Sequence, residues 1–329
     1  MHVSLADMRL SVVIPLLNER ENLQPLHARL SQVFARLAIE GQIVLVDDGS
    51  TDGSAEIIGE LAASDPRVVG VRFSRNFGHE AASTAGLDMA GGDAIVLMDG
   101  DLQDPPEVIE QMVALWRNGN DIVYARRATR KGESAFKRCT SWAFYRILRR
   151  VSDVDIPQDV GDFRLIDRKV LDAVKRCREH DRFIRGLIAW TGFKSTAVEY
   201  DRPERAAGAT KYNTLKLLWL SIDAAVGFSI LPLRFASALG FLVTLGSLIL
   251  VFILVGQKLL QKLDIPGYAL QTAGLFFLGG VQMLLLGILG EYIGRIYRQI
   301  QGRPLYVVKE IIGACDAPGR DGTNTAPRL

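Results

Sequence analysis

Cysteine is scarce in this chain. The three present, Cys139, Cys177 and Cys315, are scattered and form no C-x-x-C pair. That pattern excludes a disulfide framework and a cysteine zinc site, and fits reduced thiols. The four histidines, His2, His27, His79 and His180, never stand at metal-ligand spacing from one another, and His79 reads as a helix-start residue. Net charge is only +2 over 329 residues, which gives no sign of a nucleic-acid binder. No G-x-G-x-x-G follows the first apolar run and no Walker A sequence occurs, so a dinucleotide fold is disfavoured. The opening MHVSLADMRLSVVIP has no basic n-region followed by an apolar h-region, so no signal peptide is expected. Apolar residues are not scarce: they make up 48% of the chain and are densest toward the C-terminal end.

One stretch organises the rest. Residues 95–107 read IVLMDGDLQDPPE, an apolar run that stops in Asp99-Gly100-Asp101. Gly100 lets the backbone turn so that the two carboxylates converge. Mg²⁺ or Mn²⁺ takes few protein carboxylates and completes its shell with water and phosphate oxygens, so the stretch reads as a metal–diphosphate site. The plainer reading is a polar loop in which Asp104 caps the helix that begins near Pro105 or Pro106.

The run-up to this stretch alternates strand and helix. Apolar strands are expected over Leu10–Pro15, Gln42–Val46, Val68–Phe73 and Ala94–Met98, with helices over Glu21–Ala38, Ala55–Ala63 and Glu80–Ala90 between them. A helix over Glu107–Arg117 and a strand over Asp121–Ala125 follow, then a short strand within Gln158–Ile166, a helix over Arg182–Trp190 and a strand over Lys194–Tyr200. Continuous apolar strands alternating with helices predict an α/β domain with a mainly parallel sheet covered on both faces. Ligands sit beyond the carboxyl ends of such strands, which here carry Asn18-Glu19, Asp47-Asp48, Arg75-Asn76 and Asp99-Gly100-Asp101. Taken singly, Asp52 reads as a helix cap and Asp48-Gly49 as a turn.

The segments VVIPLLNE, VDDGSTDGS, SRNFG, DGDLQDPPE, GDFRLIDR and GATKY, in this order, resemble family 2 glycosyltransferases of the GT-A fold. The branch they are most similar to holds dolichol-phosphate mannose synthase and bacterial polyprenyl-phosphate glycosyltransferases, and the likeness spans about residues 10–235. Gly100 stands where the family commonly has alanine, and Leu16 where many members have valine or tyrosine. The resemblance implies a nucleotide-sugar donor, UDP-glucose first, with polyprenyl phosphate as acceptor. Pro15, Leu16, Glu19, Asp47 and Asn76 match nucleoside-pocket positions, with Asp99 and Gly100 beside them. Asp99, Asp101 and Gln103 match the metal positions of the family. Arg126, Arg127, Lys137 and Ser141 match positions that hold the acceptor phosphate. Asp162 matches an acidic active-site position, while Arg205 and Lys211 match basic positions that close over phosphates. Alternatively, Asp162 forms a structural ion pair with Arg164 or Arg168, and the basic run 126–138 is a solvated loop.

Two charge-free runs follow the catalytic part, at 235–255 and 267–290. As helices they measure about 31 and about 36 Å, and each suffices for a bilayer core of about 30 Å. Arg234 before the first and Arg295, Arg298 and Arg303 after the second predict cytoplasmic outer flanks. The expected layout is a GT-A domain over 1–211, interfacial helices over 212–233, a two-helix transmembrane hairpin over 234–290 and a basic, disordered tail over 291–329. The chain is expected in the inner membrane, with its catalytic domain and both termini cytoplasmic, and as a homo-oligomer, with a tetramer suggested by the resemblance. Two other readings stay open: a family 2 transferase acting on another lipid or glycan, and a non-catalytic membrane scaffold. No Q-x-x-R-W run of the processive synthases is present.

Overall fold

The computed structural model describes residues 8–127, 160–200 and 268–313, with isolated positions between 233 and 253. The chain divides into two compact units. One comprises Met1–Arg149, Val154–Tyr212 and Pro304–Leu329, and the other Arg150–Asp153 and Asn213–Arg303.

The first unit opens with strand β1 (Arg9–Leu16), helix α1 (Arg20–Leu37), β2 (Glu40–Asp47), α2 (Ser54–Ser64), β3 (Val68–Phe73), α3 (His79–Met89) and β4 (Ala94–Leu97). It continues through α4 (Val108–Arg117), β5 (Ile122–Arg127), β6 (Val160–Asp167), α5 (Arg168–Arg176), α6 (Ile184–Trp190) and β7 (Ser195–Tyr200). The eight-stranded sheet has the order β7-β5-β6-β4-β1-β2-β3-β8, where β8 is Val308–Ile312. Pairs β1/β2, β1/β4, β2/β3 and β5/β7 are parallel. Strand β6 lies antiparallel between β4 and β5, and β8 antiparallel to β3. The α/β, mainly parallel architecture matches the expectation. Strand β8 and helix α5 are additions to it, and β8 falls within the stretch expected to be a disordered tail.

The apolar strands are apolar because both faces are covered. Leu10, Val12 and Ile14 of β1 pack with Leu23, Leu26 and Leu30 of α1 and Ile109 and Met112 of α4. Val13, one residue out of phase, packs with Ala82 and Ala85 of α3 and Val170 and Val174 of α5. Fully burying one such Val, Leu or Ile is worth about 1.5–3 kcal/mol, so period-two alternation across two covered faces fixes the register. Helix α3 sits so close to the sheet that a methyl group on Gly86 would collide with Val13, which explains its run of small residues.

In the second unit, helix α7 runs Tyr268–Ile300, ten residues beyond the end expected at 290. Its extension carries an ion pair between Arg295 Nε and Glu291 Oε1 at 3.1 Å, one helical turn apart. Leu275, Met283, Leu286, Ile293, Ile296 and Ile300 of this helix are exposed. Among the described residues no helix is long and apolar enough to cross a membrane, and the expected two-span hairpin is not found. Most of 235–255, all of the joining loop 256–266 and the interfacial stretch 212–232 fall outside the described residues, as does the tail from 314.

Candidate active site

The sheet brings the predicted clusters to one rim. Strands β1 to β4 run parallel, so their carboxyl ends share an edge, and β6 enters that edge at its amino end because it runs the other way. Leu97 of β4 pairs with Arg164 of β6. Two residues further along the same antiparallel register, Asp99 comes opposite Asp162. Sequence positions 63 apart therefore meet through strand geometry alone.

A charged cluster occupies this meeting point. His79 Nε2 lies 3.4 Å from Asp162 Oδ2 and 3.8 Å from Asp99 Oδ1. Arg185 of α6 grips Asp162 with both arms of its fork: Nε donates to Oδ1 at 2.6 Å, and Nη2 donates to Oδ2. Burial alone would raise the Asp162 pKa, but the contacts with His79 and Arg185 outweigh it and hold the carboxyl well below the usual range. Burial raises Asp99 to about 6, reinforced by the negative charges of Asp162, Asp104 and Asp101 and opposed by His79. Burial would lower His79, yet its contact with Asp162 and the charge of Asp99 lift it to about 9. The partner of Asp162 is therefore chiefly Arg185. Arg164 stands 3.7 Å away, and Arg168 donates to the carbonyl of Ala90 instead.

The loop after β4 is held in a tense conformation. Leu102 adopts φ 59°, a left-handed backbone that costs a branched residue about 1–2 kcal/mol. The turn returns the Gln103 N–H to Asp101 Oδ1 at 3.0 Å. Asp104 is buried on this loop. Its buried Oδ1 accepts from the Tyr200 hydroxyl at 2.7 Å, which ties the loop to β7. Asp99, with His79 and Asp162, forms the group whose ligand atoms all lie within 4.8 Å of one another, and Asp101 does not join it. A mixed carboxylate and imidazole set of this kind fits a divalent cation.

The residues expected to hold the nucleoside stand at the ends of β1 and β2. Pro15, Leu16 and Asp47 are buried, and Leu16 pairs with Asp47 across the two strands. Asp47 Oδ1 accepts from the Ser50 N–H at 2.8 Å, whereas buried Oδ2 has no hydrogen-bond partner and lies 3.7 Å from Arg72 Nε. That oxygen is an unspent acceptor in a dry place, suited to a base N–H or a ribose hydroxyl. Glu19 Oε2 accepts from Asn22 Nδ2, and Asn76 is exposed on the β3–α3 loop. Gly100 is buried beneath, against Ile14 and Leu16.

Asp48 proves to be more than a turn residue. Its buried carboxylate accepts the N–H groups of Phe77 and Gly78 at 2.7 and 2.9 Å, clamping the β3–α3 loop that presents Asn76 and His79. Burial raises its pKa despite these bonds. Gly49 beside it has φ 79°, and a side chain there would strike the Arg75–Asn76 backbone at 2.8 Å. Asp52 stands one residue before the Gly53 N-cap of α2, and its Oδ1 accepts from the Ser54 N–H at 3.0 Å at the start of the helix.

Sequence reasoning missed Arg185 and gave His79 and Asp48 lesser roles. The available signal was a lone arginine inside the apolar run Ile184, Leu187, Ile188 of α6. Of the expected acceptor-phosphate residues, Arg126 is exposed at the rim end of β5, and the side chain of Arg127 is outside the described set. Lys137, Ser141, Arg205 and Lys211 also lie outside the described residues.

A mainly parallel α/β sheet with an acidic rim, a buried carboxylate oxygen without a hydrogen-bond partner and a candidate cation cluster fits a glycosyltransferase of GT-A fold. The match to the family model "Glycosyl transferase family 2" over residues 11–175 is specific, and the chain belongs to that family. It is 46% identical to the uncharacterized glycosyltransferase YkcC of Bacillus subtilis, over 92% of this chain and 94% of that one. It is 39% identical to the SfII prophage-derived bactoprenol glucosyl transferase of Shigella flexneri, over 92% of this chain and 98% of that protein. It is 40% identical to the prophage bactoprenol glucosyl transferase homolog of Escherichia coli, over 92% and 99%.

Proposed function

We propose that this protein transfers glucose from UDP-glucose to a membrane-held polyprenyl phosphate at the cytoplasmic face. The observation that carries the reading is near-full-length identity to bactoprenol glucosyl transferases, joined to a rim that keeps a buried acceptor for a base and a cation cluster. Bactoprenol is a polyprenol, so its phosphate is the acceptor class.

The chemistry follows from the charges. A phosphomonoester has a second pKa of about 6, so the acceptor is already a dianion near neutral pH and needs no strong base. The rim agrees with this. Asp162 is gripped by Arg185 and held well below the usual carboxyl range, which makes it a poor base. One phosphate oxygen attacks the anomeric carbon, the bond to the nucleoside diphosphate breaks, and the configuration inverts. Asp99, with Asp101 and Gln103, would hold a Mg²⁺ or Mn²⁺ whose charge would offset that of the departing diphosphate. Asp47 orients the base, Arg126, Arg127, Lys137 and Ser141 gather the acceptor phosphate, and Arg205 and Lys211 close over phosphates.

Two features support a membrane seat. The run 267–290 is charge-free, and α7 displays large apolar side chains without cover in the single chain. The chain also leaves the catalytic sheet after β7 and rejoins it as β8, so a membrane-seated segment between them would cross an even number of times, in keeping with two spans.

The test uses purified full-length protein with undecaprenyl phosphate and a panel of labelled UDP- and GDP-sugars, with and without Mn²⁺ or Mg²⁺. Metal-dependent glucose label in the organic phase is expected, and Asp101→Asn is expected to abolish it while leaving the fold intact. Full activity of that variant removes Asp101 from the metal site. Label from another sugar changes the donor, and no lipid label despite nucleotide binding changes the acceptor.

A further inference from the structure

We propose that the His79 imidazole is an inner-sphere ligand of the active-site cation, beside Asp99, and that it biases the site toward Mn²⁺ over Mg²⁺. This rests on the transferase reading above for the presence of a cation, and goes beyond it in naming a nitrogen ligand and a metal preference.

The geometry is the first argument. Ligand atoms about 2.1 Å from an octahedral cation are about 3.0 Å apart when adjacent and about 4.2 Å when opposite. The Nε2–Asp99 separation of 3.8 Å falls inside that interval. A cation can enter with small side-chain adjustments.

Backbone placement is the second. His79 is the first residue of α3, directly after Gly78 at φ 100°. The Asp48 carboxylate pins the N–H groups of Phe77 and Gly78, so the Cα of His79 is fixed from β2. Glu80 Oε2 accepts the Ile184 N–H at 2.9 Å and fixes the same turn from α6. The imidazole itself keeps 45% of its side-chain surface open, so it is positioned without being walled in.

The division of labour among the carboxylates is the third. Both oxygens of Asp162 are already bonded to Arg185, which leaves Asp162 to orient the ring and Asp99 to meet the metal. Hard Mg²⁺ prefers an all-oxygen shell, whereas imidazole raises affinity for Mn²⁺ and the later divalent metals. One nitrogen in an otherwise oxygen site therefore discriminates between the two.

The experiment is electron spin-echo envelope modulation on Mn²⁺ alone bound to the full-length protein. Modulation from a directly bound ¹⁴N nucleus is expected. It should convert to the ¹⁵N pattern when the protein is grown on ¹⁵N-histidine, which needs no variant, and should vanish in His79→Gln, which selects among the four histidines. The variant should bind Mn²⁺ about tenfold more weakly and Mg²⁺ within about twofold of the parent. Mn²⁺ whose binding is lost in Asp99→Asn but which shows no nitrogen modulation overturns the inference. So does modulation that persists in His79→Gln. Either failure leaves lipid glucosylation untouched, and loss of lipid glucosylation leaves the spectra untouched, so the two readings fail separately.

Discussion

At the scale of single residues, Gly100 offers a sharp test. A methyl group there would meet Ile14 Cγ2 at 3.4 Å and Leu16 Cβ at 3.6 Å, which is ordinary contact. Its φ is not positive, so glycine is not required. Gly100→Ala is expected to keep activity and to raise stability by about 0.4–1 kcal/mol through the unfolded chain, read as a higher thermal midpoint. Asp65 carries a pH prediction. Hydrogen bonds from Arg67 and His27, at 2.7 and 2.8 Å, overcome its burial and hold its carboxyl well below the usual range. A depressed folded pKa means the stabilisation is full above the unfolded value of about 3.9 and fades as pH falls toward the folded one. Thermal midpoints of wild type and Asp65→Asn should differ at pH 6 and converge as the pH drops toward 2. A gap that stays constant with pH would assign the effect to something other than charge.

At the scale of elements, the sequence was legible where periodicity is strong. Strand β3 has the bounds expected of it, and α1, α3 and α4 fall within a residue or so, because each has a buried face that a sliding reader can count. The rim clusters were legible because parallel strands must end on one side. What could not be read was pairing across distance. Nothing local says that β6 runs backwards beside β4, so the meeting of Asp99 with Asp162 and the grip of Arg185 needed the fold. Helix α5 was hidden by its composition: Val170, Leu171 and Val174 are its only buried residues, set among charges. The coupling of α6 to β6 yields a prediction. Arg185→Ala should cost about 2 kcal/mol by stranding a buried carboxylate, and should depress kcat by freeing Asp162. Arg185→Lys should restore most of the stability but little of the rate, since an ammonium cannot reproduce the two-pronged grip. Full recovery of kcat with lysine would mean that charge, and not orientation, is what Asp162 needs.

At the scale of the whole molecule, β8 matters most. Its bond to the edge of β3 is reinforced by Tyr306, which stacks on Phe73 at 5.1 Å and donates to Asp88 at 2.8 Å. Arg178 completes that knot with two bonds of 2.9 Å to Asp88. Ending the chain at residue 303 should expose the β3 edge and lower the thermal midpoint of the catalytic unit by several degrees, with aggregation following. A truncated chain that stays monodisperse with an unchanged midpoint would reduce β8 to an ornament.

The position of β8 in the chain also sets an order in time. A ribosome delivers β1 to β7 first, then the long apolar stretch, and the closing strand last. Until residues 308–312 emerge, the nascent sheet carries an unsatisfied border along β3. Completion of the catalytic fold is therefore scheduled after the apolar stretch has been synthesised. A chain that stalled at that stage would present an open β3 edge, a marker by which quality control can tell unfinished copies from finished ones.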